Sequence, residues 1–280
     1  MALIGLIYDH PRVEEKLIAG ELRNRGLNVE MVNVNRIPLP IGGEGRYDVV
    51  VVRTMSLYSG VYSAVAFESQ GSLSVNSSYT LMVAGDKILT LGLLASSRVP
   101  VVDSLVAVGR EAVMKAADML GYPLVDKPPV GSWGRLVSLV AGRRHHEDIV
   151  EHRSAIGAQF KVHLVQRYMG PGGRDVRCIV IGGSLLGCID RIAPEGEWRS
   201  NVALGADVRP RRVDSELEDI AVRAARMVKG GFVSVDIFES DDGYRVNEVN
   251  GIPEFKGFMK ATGVNPAERL AEWLVEAVKS

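Results

Sequence analysis

The chain has 280 residues, of which 46% are hydrophobic and 24% are charged, as is usual for a soluble globular protein with a sizeable core. Its 33 Lys and Arg residues nearly balance its 34 Asp and Glu residues, and the net charge of -1 creates no positive field that would hold a nucleic acid. No apolar stretch is long enough to cross a bilayer, and the apolar N-terminus lacks the basic segment and cleavage site of a signal peptide. We therefore expect a cytoplasmic protein with no nucleic acid or membrane partner.

The N-terminal part of the chain alternates between strand and helix patterns. The predicted strands span residues 3–8, 28–34 and 48–52, and the predicted helix spans residues 14–25. Such alternation indicates a parallel sheet, which binds ligands at the carboxyl ends of its strands. The first strand is followed by Asp9-His10-Pro11 and not by G-x-G-x-x-G, which argues against a dinucleotide-dependent oxidoreductase.

The next segment opens with Asp86 and Lys87 at the start of a predicted helix. A lysine there lies at the positive end of the helix dipole, and an anionic ligand would relieve this conflict. A solvated Lys87 beside a capping Asp86 is the alternative. The elements predicted in this segment are a helix at residues 86–97, a strand around 101–106, a helix at 110–120 and a short strand at 124–128.

Lys127 lies in this short strand and precedes a loop that contains Gly131, Ser132, Trp133, Gly134 and Arg135. Glycines permit the backbone angles with which successive N–H groups converge on phosphate oxygens, and a lysine adds a positive charge. The phosphate-binding motif G-x-x-x-x-G-K-[ST] is absent. Taken alone, the loop is explained equally well as a simple glycine hairpin.

A strand that contains Gln166, Arg167, Tyr168 and Met169 leads into a glycine-rich turn. A free strand edge offers a backbone carbonyl and an N–H group, and these groups can pair with adenine as another base would. An ordinary strand before a turn is the alternative for this segment alone.

Basic and polar residues follow on the next strands. Asp175 and Arg177 share one strand face, and Arg191 and the loop Arg199-Ser200-Asn201 come later. Arginine neutralises phosphate or carboxylate oxygens where charge builds up in a transition state. Surface salt bridges, and simple solvation for the loop, explain any one of these residues as well.

The cysteines and histidines do not form a metal-binding pattern. Cys178 and Cys188 flank an apolar run and a diglycine turn, which is typical of buried positions in a hairpin. Two cysteines make neither a disulfide framework nor a zinc set, and they favour a reducing compartment. His145 and His146 lie in a polar stretch, which indicates a solvated loop or a helix start.

A hairpin near the C-terminus is the most informative feature, with strands predicted at residues 233–238 and 244–250. The pairing brings Asp236 close to Glu248 and Asn250, whose side chains leave the same face because they are two residues apart. Two carboxylates and an amide oxygen suit Mg²⁺, which shares its remaining coordination with phosphates. We expect this cluster to be electrostatically strained when empty, and it points to magnesium-nucleotide chemistry.

Taken in chain order, these motifs resemble those of the ATP-grasp ligases over nearly the whole sequence. The resemblance implies an α/β and α+β fold, the ATP-grasp fold, in which an N-terminal parallel α/β pre-ATP-grasp domain precedes two α+β lobes that enclose ATP. The corresponding domains are expected at residues 1–85, 86–161 and 162–280, and the last of them carries the metal site.

Three sets of residues acquire roles from this resemblance. Those implied to bind ATP are Lys87, Lys127, Gly131, Ser132, Trp133, Gly134, Arg135, Gln166, Arg167, Tyr168, Met169, Asp175 and Asn201. Those implied to contact the substrates are Arg191, Val202, Ala203, Glu254, Phe255, Lys256, Gly257 and Phe258. The implied catalytic residues are Arg177 and Arg191, and the implied Mg²⁺ ligands are Asp236, Glu248 and Asn250. As a departure from the family, Arg167 stands where many relatives carry an acid.

Within the superfamily, the chain is similar to the amino-acid ligases of lysine and arginine biosynthesis, which act on a small acidic carrier protein of the LysW type. Glu254-Phe255-Lys256, followed by residues 261–264, is the closest local match. In the implied reaction, ATP phosphorylates the side-chain carboxylate of the carrier's C-terminal glutamate, and the amino group of a free amino acid then attacks the acyl phosphate. A homo-oligomer is expected.

Gly257 and Phe258 bear on the choice of amino acid. Members that take glutamate carry Gly-Phe here, whereas members that prefer 2-aminoadipate carry an asparagine-led pair. Phe258 would fill the volume that one additional methylene needs, a discrimination worth about 1–3 kcal/mol. We expect glutamate, with 2-aminoadipate or both substrates as the alternative. Further alternatives are a ligase for a ribosomal protein or a peptide, and a non-catalytic nucleotide-binding regulator.

Overall fold

The structure is a computed structural model, which describes residues 2–131, 133–169 and 173–279. The N-terminal lobe consists of β1 (Leu3–Tyr8), α1 (Val13–Asn24), β2 (Asn28–Asn33), β3 (Val49–Val52), α2 (Leu57–Ser69), β4 (Leu73–Val75) and α3 (Ser78–Gly85). Its sheet has the strand order β2-β1-β3-β4, and all pairings are parallel, as predicted.

Helices cover both faces of this parallel sheet. All four residues of β3 are buried, because Val49 and Val51 pack towards α1 while Val50 and Val52 pack towards α2. Ser56 starts α2 by accepting a hydrogen bond from a backbone N–H of its first turn. The carboxyl ends of β1 and β3 therefore lie at one edge of the sheet, and that edge faces the other lobes.

α4 (Lys87–Ser96) follows the N-terminal lobe, and its Leu94 packs in one core with Ala224 and Val249 of the C-terminal part of the chain. The central lobe contains β5 (Ser104–Val108), α5 (Arg110–Leu120), β6 (Leu124–Lys127), β7 (Ser138–Val140), α6 (Arg143–Ile156) and β8 (Val162–Arg167). Its sheet has the order β5-β8-β6-β7, and every pairing is antiparallel. Because β8 lies inside this sheet, the boundary falls after Arg167 and not at the expected residue 162. α5 and α6 pack on the sheet around a separate core that includes Val113 and Leu124.

The C-terminal lobe contains β9 (Arg174–Ile181), β10 (Ser184–Ile192), β11 (Asp207–Arg211), α7 (Ser215–Met227), β12 (Phe232–Ser240), β13 (Gly243–Asn250), α8 (Lys256–Thr262) and α9 (Pro266–Lys279). Its antiparallel sheet has the order β11-β10-β9-β12-β13. One core joins this lobe to the N-terminal lobe, because Ile179 and Leu270 pack in the same cluster as Ile4 and Ile18. The central lobe has a core of its own.

Two observations bear on the expected location of the protein. Cys178 on β9 and Cys188 on β10 lie directly opposite each other and are joined by a disulfide, so they are buried as predicted but do not support a reducing compartment. Some hyperthermophiles also form disulfides in intracellular proteins, so the bond assigns no compartment. None of the helices within the described ranges is long and apolar enough to span a membrane.

Candidate active site

A cleft with a volume of about 430 Å³ lies where the three lobes meet. Most of the residues predicted to form a site line it, although they come from different sheets. The predicted residues that line the cleft are Lys87, Lys127, Gly131, Trp133, Gly134, Gln166, Arg167, Tyr168, Met169, Asp175, Arg177, Arg191, Asn201, Val202, Ala203, Asp236, Glu248, Asn250 and Glu254.

The C-terminal hairpin forms the acidic side of the cleft. Asp236 lies directly opposite Glu248, and Asn250 Nδ2 donates a hydrogen bond to Asp236 Oδ2 at 3.4 Å. A β-bulge next to Asp236 leaves Asn247 without a partner across the hairpin. The three predicted metal-binding side chains therefore come together. Within the part of the chain that the structure describes, no group of three or more His, Cys, Asp or Glu residues could hold a metal, so an ion here would also need amide or external oxygens.

Two arginines compensate the charge of Asp236. Arg177 donates from Nε to Oδ1 at 2.8 Å and from Nη2 to Oδ2 at 2.7 Å, and Arg191 Nη2 lies 2.9 Å from Oδ2. Burial alone would raise the pKa of the Asp236 carboxyl, but the two guanidiniums outweigh burial and hold this pKa well below its usual value. Arg191 is also bound by both oxygens of Asp175. The expectation of electrostatic strain in the empty cluster is therefore wrong.

Two buried lysines face the hairpin across the cleft. Lys87 Nζ donates to Gly131 O at 2.8 Å and lies 3.6 Å from Glu248 Oε2, while Lys127 Nζ donates to Asn247 Oδ1 at 2.8 Å. Lys87 is 8% exposed, so the alternative of a solvated side chain does not hold. Burial, helped by the charge of Lys87 and opposed by Glu248, lowers the pKa of Lys127 to about 8. Two ammonium groups held in this way suit phosphate oxygens.

The start of α4 fixes the position of Lys87. Asp86 Oδ1 accepts hydrogen bonds from Ile88 N at 2.8 Å and from Leu89 N at 3.1 Å, so Asp86 caps the helix as predicted. Lys87 N donates to Pro129 O at 2.9 Å. The helix start is therefore tied to the loop that follows β6.

The glycine-containing loop reaches from the central lobe to the C-terminal lobe. Arg199 Nη1 donates to Gly134 O at 3.3 Å, and Glu197 Oε2 accepts from Arg199 Nη2 at 2.8 Å. Gly134 has a φ of 68°, and a Cβ on it would lie 3.3 Å from Asn201 Oδ1. The loop does connect the antiparallel strands β6 and β7, as the hairpin alternative has it, and it also contacts the opposite wall of the cleft.

Two other residues predicted in this loop have different outcomes. Arg135 does not line the cleft, and its guanidinium lies 5.1 Å from the ring centroid of Trp133, which does line it. Ser132 was predicted to bind phosphate, and it lies outside the described residues.

The predicted adenine strand has less free backbone than expected. Gln166 pairs with residues of both β5 and β6, so this position has no free edge. Arg167 donates from its backbone N to Asp103 O and from Nε to Asp103 Oδ2, both at 2.9 Å. Tyr168 and Met169 follow the strand and line the cleft, and they are the better candidates for pairing with a base.

The segment after the hairpin lies mostly behind the cleft wall. Glu254 lines the cleft, whereas Phe255 and Phe258 are 0% and 2% exposed and belong to the core shared by two lobes. Lys256 Nζ lies 3.7 Å from Glu14 Oε2, away from the cleft lining. These positions do not support the expected direct contact between Phe258 and a substrate.

Gly257 has an indirect route to the cleft. A Cβ on Gly257 would lie 3.3 Å from Val202 Cγ2, and Val202 lines the cleft. A larger residue at position 257 would therefore push a cleft residue, although Gly257 itself lies behind the wall.

Sequence reasoning missed a buried charged cluster behind β6. Asp126 Oδ1 accepts from Arg153 Nη1 at 2.8 Å, and Asp126 Oδ2 lies 3.1 Å from His146 Nε2 and 2.9 Å from His163 Nδ1. His146 lies in the first turn of α6, so the expected helix start is confirmed, but its side chain is 0% exposed and is not solvated. Arg153 also donates to Asp126 O and Leu136 O, which flank the glycine-containing loop. An acid within an apolar strand was the available signal, since a buried acid requires partners.

The N-terminal lobe also contributes cleft residues that sequence reasoning did not select. These residues follow the carboxyl ends of β1 and β3 and are Arg12, Thr54, Met55, Ser56 and Tyr58. The rule that a parallel sheet binds ligands at this edge would have identified the region.

Comparison with known proteins agrees with this geometry. The model of the RimK-like ATP-grasp domain matches residues 84–274, and that of the LysX preATP-grasp domain matches residues 4–83. The glutamate–LysW ligase ArgX of Sulfurisphaera tokodaii is 47% identical over 276 residues, which cover 98% of each chain. The alpha-aminoadipate–LysW ligase LysX of the same organism is 32% identical over 284 residues, which cover 99% of each chain.

A solved structure supports the same assignment. The crystal structure of a RimK-domain ATP-grasp protein from Sphaerobacter thermophilus aligns with a TM-score of 0.79 and 26% identity, covering 98% of this chain and 100% of that one. The expected ATP-grasp fold is confirmed. The chain therefore belongs to the RimK-like ATP-grasp family, with a LysX-type preATP-grasp domain at its N-terminal end.

Proposed function

We propose that the chain is an ATP-dependent ligase that joins the amino group of glutamate to the side-chain carboxylate of the C-terminal glutamate of a LysW-like carrier protein. The observation that carries this proposal is the 47% identity, over 98% of both chains, to a relative named as a glutamate–LysW ligase. The cleft supports it, because buried cations and carboxylates meet there between lobes. A biosynthetic ligase of this kind acts in the cytoplasm.

The first proposed step transfers a phosphoryl group. Lys87 and Lys127 hold phosphate oxygens, and the loop around Gly134 covers them. An oxygen of the carrier's side-chain carboxylate attacks the γ-phosphorus, the bond between that phosphorus and the bridging oxygen breaks, and ADP leaves. Cations placed where charge develops lower the barrier to such a transfer.

Mg²⁺ fits the donor set of the hairpin. Asp236, Glu248 and Asn250 would hold the ion through hard oxygen ligands, and a small protein set suits an ion that keeps water and phosphate ligands. When bound, the ion would neutralise phosphate charge. Arg177 and Arg191 keep Asp236 ionised, which is the form that binds a cation.

The second proposed step forms the amide. The neutral amino group of glutamate attacks the carbonyl carbon of the acyl phosphate, the C–N bond forms and the C–O bond breaks. The departing phosphate takes the proton that the amine loses and leaves as inorganic phosphate. In this proposal Arg191 stabilises the developing oxyanion, and its burial and its position in the cleft lining support this role. The contact between Gly134 and Arg199 keeps the cover closed and excludes water that would hydrolyse the acyl phosphate.

Turnover with a purified carrier tests the proposal. Carrier, magnesium ATP and glutamate are expected to give ADP and phosphate in equal amounts, together with a carrier that is heavier by one glutamate residue. A carrier whose terminal glutamate is replaced by glutamine is the matched control, because its side chain has no carboxylate to phosphorylate. Nucleotide binding without phosphate release for any amino acid would indicate a regulatory protein instead.

2-Aminoadipate is the second candidate substrate. The 32% identity to an alpha-aminoadipate–LysW ligase favours it, whereas the higher identity to a glutamate–LysW ligase favours glutamate. The ratio of kcat/KM values for the two amino acids, measured with one carrier preparation, decides between them.

A further inference from the structure

Arg12 and Glu254 form a pair of opposite charges in the part of the cleft that borders the N-terminal lobe. Arg12 precedes α1, and Glu254 follows β13. Both residues line the cleft, and Arg12 Nη1 lies 3.4 Å from Glu254 Oε1. Arg12 has no part in the phosphate and metal contacts proposed above.

Buried neighbours hold the Arg12 guanidinium in one orientation. Glu15, which is 0% exposed, accepts hydrogen bonds from Nε at 3.2 Å and from Nη2 at 2.8 Å, and Arg53 O accepts from Nη2 at 3.1 Å. Burial would raise the pKa of Glu15, but the hydrogen bond to Arg12 and the charge of Arg53 outweigh burial and lower it, so Glu15 stays anionic at neutral pH. Nη1 is the donor that is left for the cleft.

The contact between Arg12 and Glu254 is easily exchanged. Its distance is long for a charged hydrogen bond, and the Glu254 side chain is 44% exposed. A partly exposed ion pair of this kind contributes little to stability. A ligand that carries both charges can replace the contact without leaving either side chain unpaired.

An α-amino acid carries an ammonium and a carboxylate group on one carbon atom, and this pair of groups matches Arg12 and Glu254. We infer that Arg12 binds the α-carboxylate, and Glu254 the α-ammonium, of the amino-acid substrate. The inference rests on the proposed function, in which a free amino acid supplies the attacking amine. The carrier's terminal residue also has an α-carboxylate, but it has no ammonium group for Glu254, which would repel it.

γ-Aminobutyrate tests the inference, because it is glutamate without the α-carboxylate. Calorimetry measures the binding of both compounds to the full-length enzyme loaded with Mg²⁺ and a non-hydrolysable ATP analogue, and it needs no carrier. The wild type is expected to prefer glutamate by about 100-fold or more, and Arg12→Met is expected to reduce this preference to about threefold or less. An unchanged preference in Arg12→Met would overturn the inference.

Two further variants separate recognition from folding. Arg25→Met removes an arginine that follows α1, pairs with Glu21 and does not line the cleft, and it is expected to leave the preference unchanged. Glu254→Gln removes a partly exposed carboxylate. It is expected to lower the affinities for glutamate and γ-aminobutyrate by the same factor, since both compounds carry the ammonium group. If Glu254→Gln strongly lowered the affinity for glutamate but not that for γ-aminobutyrate, the result would contradict the assigned roles.

A turnover experiment distinguishes the two sources of a carboxylate. Wild type and Arg12→Met are compared on carriers that end in an α-carboxylate or an α-carboxamide. If the wild type prefers the carrier with the α-carboxylate and Arg12→Met abolishes this preference, Arg12 binds the carrier and the inference is overturned. If Arg12→Met lowers turnover equally with both carriers, the inference is supported. A wild type that fails to modify any carrier would refute the proposed function, while the binding result for glutamate would still stand.

Discussion

Lys127 Nζ on β6 donates a 2.8 Å hydrogen bond to Asn247 Oδ1 on β13, and this contact joins the central lobe to the hairpin across the cleft. Asn247 is available because the bulge next to Asp236 leaves it without a cross-strand partner. A buried ammonium group is thus held by a neutral amide. A phosphate that binds between the lobes would replace this contact with a stronger, charged one.

Nucleotide binding is predicted to take up a proton at alkaline pH. Burial lowers the pKa of Lys127 to about 8, and the charge of a bound phosphate is expected to raise this pKa towards its ordinary value of 10.5. Between these two values the complex holds more protons than the free enzyme, so affinity falls as the pH rises. Calorimetry at about pH 9, in buffers of different ionisation enthalpy, measures the uptake. Lys127→Met is expected to abolish it, and equal uptake in both proteins would contradict this explanation.

Asp236→Asn and Glu248→Gln are predicted to separate stability from metal binding. Asp236 is buried with two arginines, and its neutralisation is expected to lower the free energy of unfolding by about 3–5 kcal/mol. The Glu248 side chain is 22% exposed and lies 3.6 Å from Lys87, so its neutralisation is expected to cost less than about 1 kcal/mol.

Both variants are expected to lose most of their magnesium-dependent turnover. Urea unfolding measures the stability of each variant, and initial rates at varied Mg²⁺ concentration measure the metal requirement. A Glu248→Gln enzyme with wild-type activity and Mg²⁺ dependence would remove Glu248 from the proposed metal site.

Gly134→Ala is predicted to weaken closure of the loop over ATP. Gly134 has a φ of 68°, and a Cβ on it would lie only 3.3 Å from Arg199 Cδ and Asn201 Oδ1. The alanine is therefore expected to destabilise the closed loop by about 1–2 kcal/mol, which lowers kcat/KM for ATP roughly 5- to 30-fold. Gly142→Ala is the matched control, because Gly142 has a φ of -173° and its Cβ would have no neighbour within 4 Å. Similar losses in both variants would argue against a specific role for the loop.

The Gly257-Phe258 pair is predicted to affect substrate choice and stability separately. Gly257→Asn introduces the asparagine that members preferring 2-aminoadipate carry here, and it would displace Val202 in the cleft wall. It is expected to shift the preference towards 2-aminoadipate by about 1–3 kcal/mol. Phe258→Ala is expected to lower the free energy of unfolding by about 3–5 kcal/mol, because Phe258 lies in the core. The ratio of kcat/KM values and urea unfolding check the two effects. A changed preference at unchanged stability in Phe258→Ala would instead indicate direct contact with the substrate.

The hairpin could be predicted because its strands, its turn and its paired residues all lie within one short segment. The pairing between Arg177 and Asp236 could not, because it requires two strands whose residues are 59 positions apart to lie side by side. For the same reason the empty metal cluster was expected to be strained. Residue types alone do not show which cation lies beside an acid.

Contacts between distant parts of the chain also explain why the neighbours of Gln166 and the position of Arg12 in the cleft could not be predicted. Gln166 lies opposite Ser104, 62 positions earlier, and no local pattern shows that its strand has neighbours on both sides. Arg12 meets Glu254 across 242 positions, so its place in the cleft depends on how the lobes pack. Lys87 and Lys127 could be identified because each lies in a short local motif, and the positive charge of a lysine does not depend on knowing its distant partners.

The mass of the carrier protein after incubation with the wild-type enzyme, magnesium ATP and glutamate tests the central claim most directly. The expected result is the addition of one glutamate residue per carrier, which requires ATP and does not occur when the carrier's terminal glutamate is replaced by glutamine. A carrier of unchanged mass, in the presence of an enzyme that binds ATP, would contradict the assignment of this chain as a glutamate ligase.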